Sequence, residues 1–476
     1  MTDSPKKVKI AVEGCCHGEL NAIYRSLDDS VDLLIICGDF QAIRNQTDLD
    51  TMNVPKKYLR MADFHEYYSG TKTAPILTIF IGGNHECSSY LTELKFGGWV
   101  APNIYYLGEY GSVWYRGIQI AGWSGIYNHW SFLDNFLDDE SLPFTPRSIR
   151  SVYHTKPKNF LKMSLMNHDL DVVLSHDWPV GIEKYGDAQW LLRKKQYFKN
   201  DIRDGKLGSP LNKFLLGYLR PRYWFSGHLH IRFDARVSYR NQEITSPYSK
   251  EEVVKSDEIE INMDDEEEDE EPTKNSDEIG GLDMDDEIEV EESKITFEDK
   301  LCIDKRESAV DSKGFSLIPS RKRFPGDNDE TYFLALDKCL PHRRFFEVIE
   351  VEVKSQNLQH PSVKYDGLYM SRRSVAINRV VEDFVHKHKQ QFKEISWAQI
   401  SDSPSRLTII NELREVVSAE LNSLSRRDDS DFEIRHDSFK IVAPIESKNT
   451  EAIPLKYWEN NQTVDYCAKF GIHYRS

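Results

Sequence analysis

Five short segments in the first half of this chain carry side chains that bind metals or transfer protons. They are Gly14-Cys15-Cys16-His17-Gly18, Gly38-Asp39, Gly83-Asn84-His85-Glu86, Ser175-His176-Asp177 and Gly227-His228-Leu229-His230. Imidazoles, an amide and a carboxylate able to bridge two ions suit a two-metal centre. Such a centre clamps the attacking and leaving oxygens of a phosphoryl group and lowers the pKa of a bridging water. The segments therefore predict metal-assisted phosphoryl chemistry, with Asp39 as the bridging carboxylate.

The spacing inside two of these segments indicates which side chains point the same way. Side chains alternate in an extended chain, so Cys15 and His17 share a face while Cys16 points away as a packed thiol. By the same rule His228 and His230 share a face, and each could serve one metal. A single histidine after a strand, a Gly-Asp turn or a Cys-Cys pair is usually structural. Their joint placement in one part of the chain favours a site.

Strand-like runs precede each of these segments. Short runs rich in β-branched and aromatic residues, most of them ending in Gly, Ser, Asn or Asp, predict strands. These runs cover residues 7–13, 31–37, 76–82, 117–122, 171–175 and 222–226, with helix-like stretches such as 19–30 and 187–201 among them. The alternation predicts an α/β fold. Because such folds collect ligands at the carboxyl ends of their strands, the five segments should meet in one crevice.

The composition separates one acidic segment from a near-neutral remainder. The 476 residues have a formal net charge of −17, yet residues 251–292 alone hold 22 Asp/Glu and 2 Lys. The remaining residues, with 59 basic and 56 acidic side chains, sum to about +3. The acidic stretch has too little apolar surface to offset the entropy of ordering. We therefore predict a disordered acidic insert at 241–328 between a catalytic domain at 1–240 and a smaller C-terminal domain at 329–476.

Several classes of protein are not expected from this sequence. No run of about 18 apolar residues occurs, so neither a transmembrane helix nor a membrane partner is expected. The first residues are polar and lack the apolar core of a signal peptide. Seven scattered cysteines do not make a disulfide framework in a chain of this length. Reduced thiols in a soluble intracellular protein are the expectation.

The order of the five motifs resembles the calcineurin-like metallophosphoesterase superfamily, and longer segments resemble the RNA lariat debranching enzymes. Those segments are VEGCCHGELNAIY, FIGGNHECSSYL, APNIYYLG, GIQIAGWSGIY, LSHDWPVGI, FSGHLH and, beyond the insert, ALDKCLP. The resemblance covers residues 1–240 and about 331–353. It implies a metallophosphoesterase-type β-sandwich flanked by helices, with a debranching-family C-terminal domain after the insert.

The resemblance also implies a set of metal ligands. One divalent ion would be held by Cys15, His17, Asp39 and His230, and the other by Asp39, Asn84, His176 and His228. Where the superfamily usually has an aspartate, this chain has Cys15, as the debranching enzymes do. A thiolate shifts the preference from Mg²⁺ toward Fe²⁺ or Zn²⁺, and Mn²⁺ is a third candidate. Whether Cys15 binds a metal directly or only tunes the site stays open.

By the same resemblance the substrate is branched intron RNA, the excised lariat whose branch adenosine carries a 2′–5′ phosphodiester. His85, beside Asn84, would protonate the leaving 2′ oxygen or stabilise the transition state, a contribution of about 10²–10⁴ in rate. An aromatic and basic stretch at 123–158 occupies the place of the loop that the family uses on the branch, although residues 131–142 diverge. Bases stack on aromatic rings and cations pair with phosphates. The RNA-binding residues expected there are Tyr127, Arg147, Arg150 and His154.

Other interpretations stay open at this point. The chain could be a nuclease, cyclic-nucleotide phosphodiesterase or phosphatase of the same superfamily, or a scaffold without catalysis. The insert could be a solvating linker, or it could compete with RNA for a basic surface or bind a basic partner. The run SRKR at 320–323 is a weak nuclear-import signal, so we expect a nuclear protein with or without a cytoplasmic share. A splicing-related protein partner is expected, and the oligomeric state is left open.

Overall fold

Alternation along the first strand shows how the sequence builds the fold. The structure, a computed structural model, describes residues 6–134, 141–239, 327–394, 404–445 and 453–473. In strand β1 (Lys7–Glu13), Val8, Ile10 and Val12 face the apolar layer between two sheets. Ala11 faces the opposite way, into a second apolar cluster beneath helices. This is the period-two pattern of a strand that is covered on both faces.

Two sheets form the sandwich. The six-stranded sheet has the order β12-β1-β2-β3-β5-β4 and the seven-stranded sheet the order β10-β11-β9-β8-β7-β6-β13. The strands of the first are β1, β2 (Leu33–Ile36), β3 (Thr78–Phe80), β4 (Gly98–Ala101), β5 (Ile104–Tyr106) and β12 (Phe346–Glu352). Those of the second are β6 (Tyr110–Tyr115), β7 (Ile118–Trp123), β8 (Val172–Ser175), β9 (Tyr223–Ser226), β10 (Phe233–Ser238), β11 (Glu330–Ala335) and β13 (Leu368–Met370). The predicted α/β sandwich is confirmed.

Helices cover the outer faces of both sheets. The longer ones pack their apolar sides on the seven-stranded sheet, where Phe160, Leu215 and Ile377 share one core. The helices are α1 (Leu20–Arg25), α2 (Phe64–Tyr68), α3 (Ser88–Glu93), α4 (His129–Asp134), α5 (Ser148–Ser151), α6 (Pro157–Ser164), α7 (Ala188–Lys194), α8 (Phe198–Asp204), α9 (Pro210–Leu219), α10 (Pro361–Lys364), α11 (Arg372–Lys387), α12 (Lys389–Glu394), α13 (Pro404–Leu424) and α14 (Asn461–Phe470). No helix in the described ranges is long and apolar enough to cross a membrane.

The segment after residue 326 completes both sheets. β11 lies between β10 and β9, pairing with β9 in parallel from Tyr332↔Tyr223 onward. β12 pairs with β1 over its whole length, from Lys7↔Glu352 to Glu13↔Phe346. β13 adds an edge to the seven-stranded sheet. Residues 1–243 and 317–476 form one compact unit, so the catalytic and C-terminal domains predicted from sequence share their sheets.

Some elements differ from the sequence-based prediction. The helix predicted at 187–201 is two helices, α7 and α8, because Lys195 leaves helical backbone geometry at φ −133°. The aromatic and glycine-containing stretch 98–115 forms three strands that the sequence pattern did not indicate. Almost all of the predicted acidic insert, together with the SRKR run, lies outside the described residues.

Candidate metal centre

The five motifs converge because each follows a strand whose carboxyl end lies at the same edge of the sandwich. β1, β2 and β3 are parallel neighbours in one sheet, and β8 and β9 are parallel neighbours in the other. Cys15, Asp39 and Asn84 follow the first three strands. His176 and His228 follow the other two. Ligand sites at strand carboxyl ends are the expected arrangement in α/β folds.

One group of side chains surrounds a point between the β1 and β9 loops. The ligand atoms of Cys15, His17, Asp39 and His230 all lie within 4.8 Å of one another. Nε2 of His17 is 3.1 Å from Nε2 of His230 and 3.7 Å from Oδ2 of Asp39. Sulfur, two nitrogens and one oxygen at this spacing can surround a single divalent ion. This is the first of the two ligand sets implied by the resemblance.

A second group meets on the other side of Asp39. Nε2 of His176 is 3.1 Å from Oδ1 of Asn84 and 3.4 Å from Oδ1 of Asp39. Nδ1 of His176 donates a hydrogen bond to the Cys37 carbonyl at 2.7 Å, which leaves a lone pair on Nε2. The Asn84 and Asp39 oxygens therefore both lie near this lone pair. The His228 ring centroid lies 5.1 Å from that of His176, and its Nε2 is 3.9 Å from Oδ1 of Asp177.

The electrostatics of the site favour the neutral imidazole at three of its four histidines, namely His17, His228 and His230. Burial lowers the pKa of His17 and of His228 to about 3, and burial together with His17 lowers that of His230 further. For His176, burial alone would lower the pKa, but the charge and hydrogen bond of Asp39, together with the hydrogen bond to the Cys37 carbonyl, raise it above its usual value. Burial alone would raise the pKa of Asp39, yet His176 and the other histidines hold it well below its usual value.

Cys15 is positioned to bind a metal ion, but its buried thiol needs a nearby cation in order to ionise. Burial, and then the charge of Asp39, raise the pKa of the thiol well above its usual value. The backbone N–H of His228 donates to Sγ at 3.0 Å, which stabilises the thiolate. Metal ligation requires the thiolate form, and a divalent ion deprotonates a coordinating thiol. Cys16 packs with Leu20 and Cys339 in an apolar cluster, on the opposite side as predicted.

The proposed catalytic residue lies at the open side of the centre. The backbone N–H of His85 donates to Oδ1 of Asp39 at 2.8 Å, and its Nδ1 is 3.6 Å from Oδ2. The side chain is 25% exposed, whereas that of Asp39 is 2% exposed. His85 therefore touches the bridging carboxylate through its backbone and leaves part of its ring toward solvent, where a leaving group would depart.

Sequence reasoning did not assign a role to Glu86, the last residue of its motif. This buried carboxylate accepts backbone hydrogen bonds from Phe40 at 2.7 Å and from Gln41 and Gly83 at 2.9 Å. It thereby joins the loop that carries Asp39 to the loop that carries Asn84. Its position within the Gly-Asn-His-Glu motif was the available signal.

The predicted RNA contacts lie on the segment between β7 and α6, beside the centre. Tyr127, Trp130 and His154 lie on this segment and are here called the rim. The backbone N–H of Tyr127 donates to Oδ2 of Asp177 at 2.9 Å. Arg147 and Arg150 are exposed at α5. His154 is mostly enclosed, with Nδ1 2.8 Å from Ser131 Oγ, and burial lowers its pKa to about 4. A neutral, enclosed ring can offer RNA a hydrogen bond but no charge.

Trp130 and Tyr153 are two further aromatic residues of this segment. Trp130 is 68% exposed, which leaves its ring available for stacking. The Tyr153 hydroxyl accepts a hydrogen bond from Asn53 at 2.8 Å, tying this segment to the loop after β2. Burial and then the proximity of Asp39 raise the pKa of Tyr153, against the effect of the Asn53 hydrogen bond.

Comparisons with known proteins agree with this geometry. The family model described as calcineurin-like phosphoesterase matches residues 8–232, and the model described as lariat debranching enzyme, C-terminal domain, matches residues 328–475. The first implies divalent metal binding. The two matches together cover both sides of the acidic insert.

Curated relatives carry one description. The chain is 36% identical to the lariat debranching enzyme of Saccharomyces cerevisiae over 83% of this chain and 90% of that protein. It is 37% identical to the Drosophila melanogaster lariat debranching enzyme over 98% of this chain and 78% of that protein. It is 49% identical to lariat debranching enzyme A of Xenopus laevis over 49% of this chain, and the match spans 45% of that longer relative.

Proposed function

Because this chain belongs to the lariat debranching enzyme family, we propose that it hydrolyses the 2′–5′ phosphodiester at the branch point of excised intron lariats and releases linear RNA for turnover. The observation that carries this proposal is the convergence of the two ligand sets on the two oxygens of Asp39. Oδ2 faces His17 and Oδ1 faces His176. A shared carboxylate of this kind could hold two cations close together, and such a pair of cations stabilises the attacking and leaving oxygens of one phosphoryl group.

The reaction is an in-line displacement at phosphorus. Two divalent ions, when bound, supply Lewis-acid charge and lower the pKa of the attacking water. The water oxygen forms a bond to phosphorus while the bond to the 2′ oxygen breaks, leaving a 5′-phosphate. We assign His85 to protonate the departing 2′ oxygen. Asp39 orients His85 through its backbone N–H, and Glu86 holds the loops of both residues.

The donor atoms support a proposal for the metals. We propose that Cys15, His17, Asp39 and His230 hold one ion and that Asp39, Asn84, His176 and His228 hold the other. A set with one thiolate and two imidazoles prefers Fe²⁺ or Zn²⁺. The second set, with carboxylate, amide and imidazole donors, also suits Mn²⁺.

We place the branch nucleotide against the rim formed by Tyr127, Trp130 and His154. The exposed indole of Trp130 offers a stacking surface for a splayed base, and Arg147 and Arg150 offer charge to the phosphates that lead away from it. Sequence-specific and shape-specific RNA recognition uses such unstacked bases.

A single-turnover assay tests the proposed activity. Apo-protein and protein reconstituted with Fe²⁺, Zn²⁺ or Mn²⁺ would be given a synthetic 2′–5′ branched RNA and a linear 3′–5′ RNA of the same sequence. We expect metal-dependent cleavage of the branch alone. Cleavage of both RNAs would instead support a general nuclease, and a fully metallated protein that cleaves neither would support a scaffold.

We also propose a nuclear location and a splicing-related protein partner, on the basis of the substrate and of the SRKR run outside the described residues. A fluorescent fusion should accumulate in the nucleus and lose that accumulation when Arg321, Lys322 and Arg323 are replaced by Ala. Equal distribution of both proteins would contradict the location. Copurification with splicing factors that survives ribonuclease treatment would support the partner, and its loss would contradict it.

A further inference from the structure

The segment after β11 reaches the metal centre from the C-terminal half of the chain. Cys15 and Lys338 form an isolated parallel bridge, in which the Cys15 N–H donates to the Asp337 carbonyl at 3.4 Å. The Cys339 N–H in turn donates to the Cys15 carbonyl at 3.2 Å. A Cβ on Gly14 would come within 2.4 Å of the Leu336 carbonyl oxygen, so the two backbones pack without a gap. This segment is the ALDKCLP motif, which the proposed chemistry leaves without a role.

The bridge determines where the Lys338 side chain points. Residues paired across neighbouring strands have side chains on the same face, and successive residues alternate. Cys16 and Cys339, the next residues along each chain, both lie in the apolar cluster on the far side. Cys15 and Lys338 therefore share the face of the metal ligands. The Lys338 residue is only 2% exposed, so its ammonium lies inside the protein at this centre.

Lys338 follows Asp337, whose carboxylate accepts a hydrogen bond from the Lys338 backbone N–H at 2.8 Å and lies 3.5 Å from the Arg343 guanidinium. The position of Lys338 beside Cys15 thus rests on the backbone pairing and on burial.

We propose that Lys338 forms a phosphate-oxygen subsite beside the Cys15 metal position and is a catalytic residue for the reaction proposed above. An ammonium beside divalent cations can bind an anion that those cations also attract. A non-bridging oxygen of the scissile phosphodiester is such an anion, and it gains charge in the transition state. A fixed cation directed at that oxygen stabilises the transition state more than the ground state. The inference rests on the proposed function.

The test compares Lys338→Met and Lys338→Gln with the wild type, each reconstituted with the metal that supports the fastest branch cleavage. Loss of one preorganised group typically costs about 10²–10³ in kcat. We expect that loss in both variants, with KM for branched RNA changed only a few-fold. Inorganic phosphate, titrated by calorimetry into the metallated protein, should bind at least about tenfold more weakly than to the wild type. Metal content should stay at the wild-type level, and Lys338→Arg should recover part of kcat.

Lys162→Met is the matched control, because Lys162 is also buried (3% exposed) but its ammonium pairs with the Glu382 carboxylate of α11. We expect it to lower the melting temperature and to retain kcat and phosphate affinity. Unchanged phosphate affinity in the Lys338 variants, or a loss of bound metal, would refute the proposed subsite. Lys338 would then have only a packing role. If the wild type itself does not cleave the branch, the proposed function is wrong. The phosphate titration still tests the subsite independently of that result.

Discussion

At the scale of single residues, the metal centre is built on strained backbone. His17, Asp39, His228 and His230 all have positive φ values between 47° and 68°. For residues other than glycine this conformation costs roughly 1–3 kcal/mol each and persists only where the surroundings impose it. Gly38 shares the requirement, with φ +122° and a Cβ position only 2.2 Å from Nδ1 of His176. This strained backbone lowers the stability of the fold but orients the side chains toward the two proposed ligand sets.

Gly38→Ala should displace His176 and reduce metal content and activity together, because the new methyl group would occupy the position of the imidazole. Metal analysis and the branch-cleavage assay measure both. Gly181→Ala is the matched control, since Gly181 has φ +85° but no atom within 4 Å of a built Cβ. It should cost about 1–2 kcal/mol of stability and keep the metal. Equal metal loss in the two variants would attribute the effect to backbone strain alone.

Replacement of Asp39 and of His85 should separate metal binding from proton transfer. Asp39→Ala removes the carboxylate shared by both ligand sets and should lose metal and activity. His85→Ala should keep the metal and lose about 10²–10⁴ in kcat, because only the proton donor is removed. Metal content by mass spectrometry and single-turnover rates measure the two effects. Normal metal content in Asp39→Ala would refute the bridging assignment.

At the scale of elements, the segment between β7 and α6 forms one wall of the site. It is tied to the rest of the protein at two places, by Asp177 at Tyr127 and by Asn53 at Tyr153, and within the segment Ser131 contacts His154. Arg147, just before α5, and Arg150, within it, are exposed. A wall held at its base can present a stacking surface and charges to an RNA without rearranging, which lowers the entropic cost of binding.

Replacing Arg147 and Arg150 with Ala should weaken branched-RNA binding most at low salt. If each arginine contacts one phosphate, the slope of log K against log salt concentration should become less steep by about 1.4 in total, since each contact contributes about 0.7 for single strands. Filter binding between 50 and 300 mM salt measures this. Arg203→Ala with Arg435→Ala is a charge-matched control on other exposed surfaces. An identical slope change in the control would mean that only net charge matters.

At the scale of the whole molecule, the C-terminal half is part of the catalytic fold. β11 fills a position inside the seven-stranded sheet, and α11 is joined to α6 by buried charges. Glu382 lies 2.6 Å from the Lys162 ammonium and 3.3 Å from that of Lys158. Burial opposes ionisation of this carboxyl group, but the two lysines lower its pKa to about 2. Helix α11 of the C-terminal half is thus held to α6, which follows the segment proposed to contact RNA.

Glu382→Gln should destabilise the protein by about 3–5 kcal/mol at neutral pH, because two buried ammonium groups lose their counter-charge. The folded-state pKa of Glu382 lies below its usual value of 4.5. Its stabilising effect is therefore present above about pH 4.5 and lost as pH falls toward 2. Denaturant unfolding from pH 7 to pH 3 measures the difference in the free energy of unfolding between variant and wild type. This difference should become smaller only in the acidic range. A difference that stays constant with pH would exclude the ionisation of Glu382 as its cause.

Deleting residues 251–292 should leave the fold intact, because the chain leaves and re-enters the described structure at one place. Ser238 at the end of β10 pairs with Glu330 at the start of β11. If the insert is only a linker, turnover and RNA affinity also stay unchanged, and a shorter loop costs slightly less entropy to close. Tighter RNA binding after the deletion would instead show that the acidic residues compete with RNA.

Local pattern was sufficient to predict the strands and the five motifs that follow them, whereas the two ligand sets came from the family resemblance. Cys15 and His17 do lie together, but not through the alternation of an extended chain, because His17, His228 and His230 adopt positive φ values. The pairing of Asp39 with His176, the role of Glu86 and the shared sheets of the two halves arise from contacts between residues far apart in the chain. The approach of Lys338 to Cys15 joins positions separated by more than 300 residues. Which distant segments meet depends on the packing of the complete sandwich, and no short-range pattern encodes it.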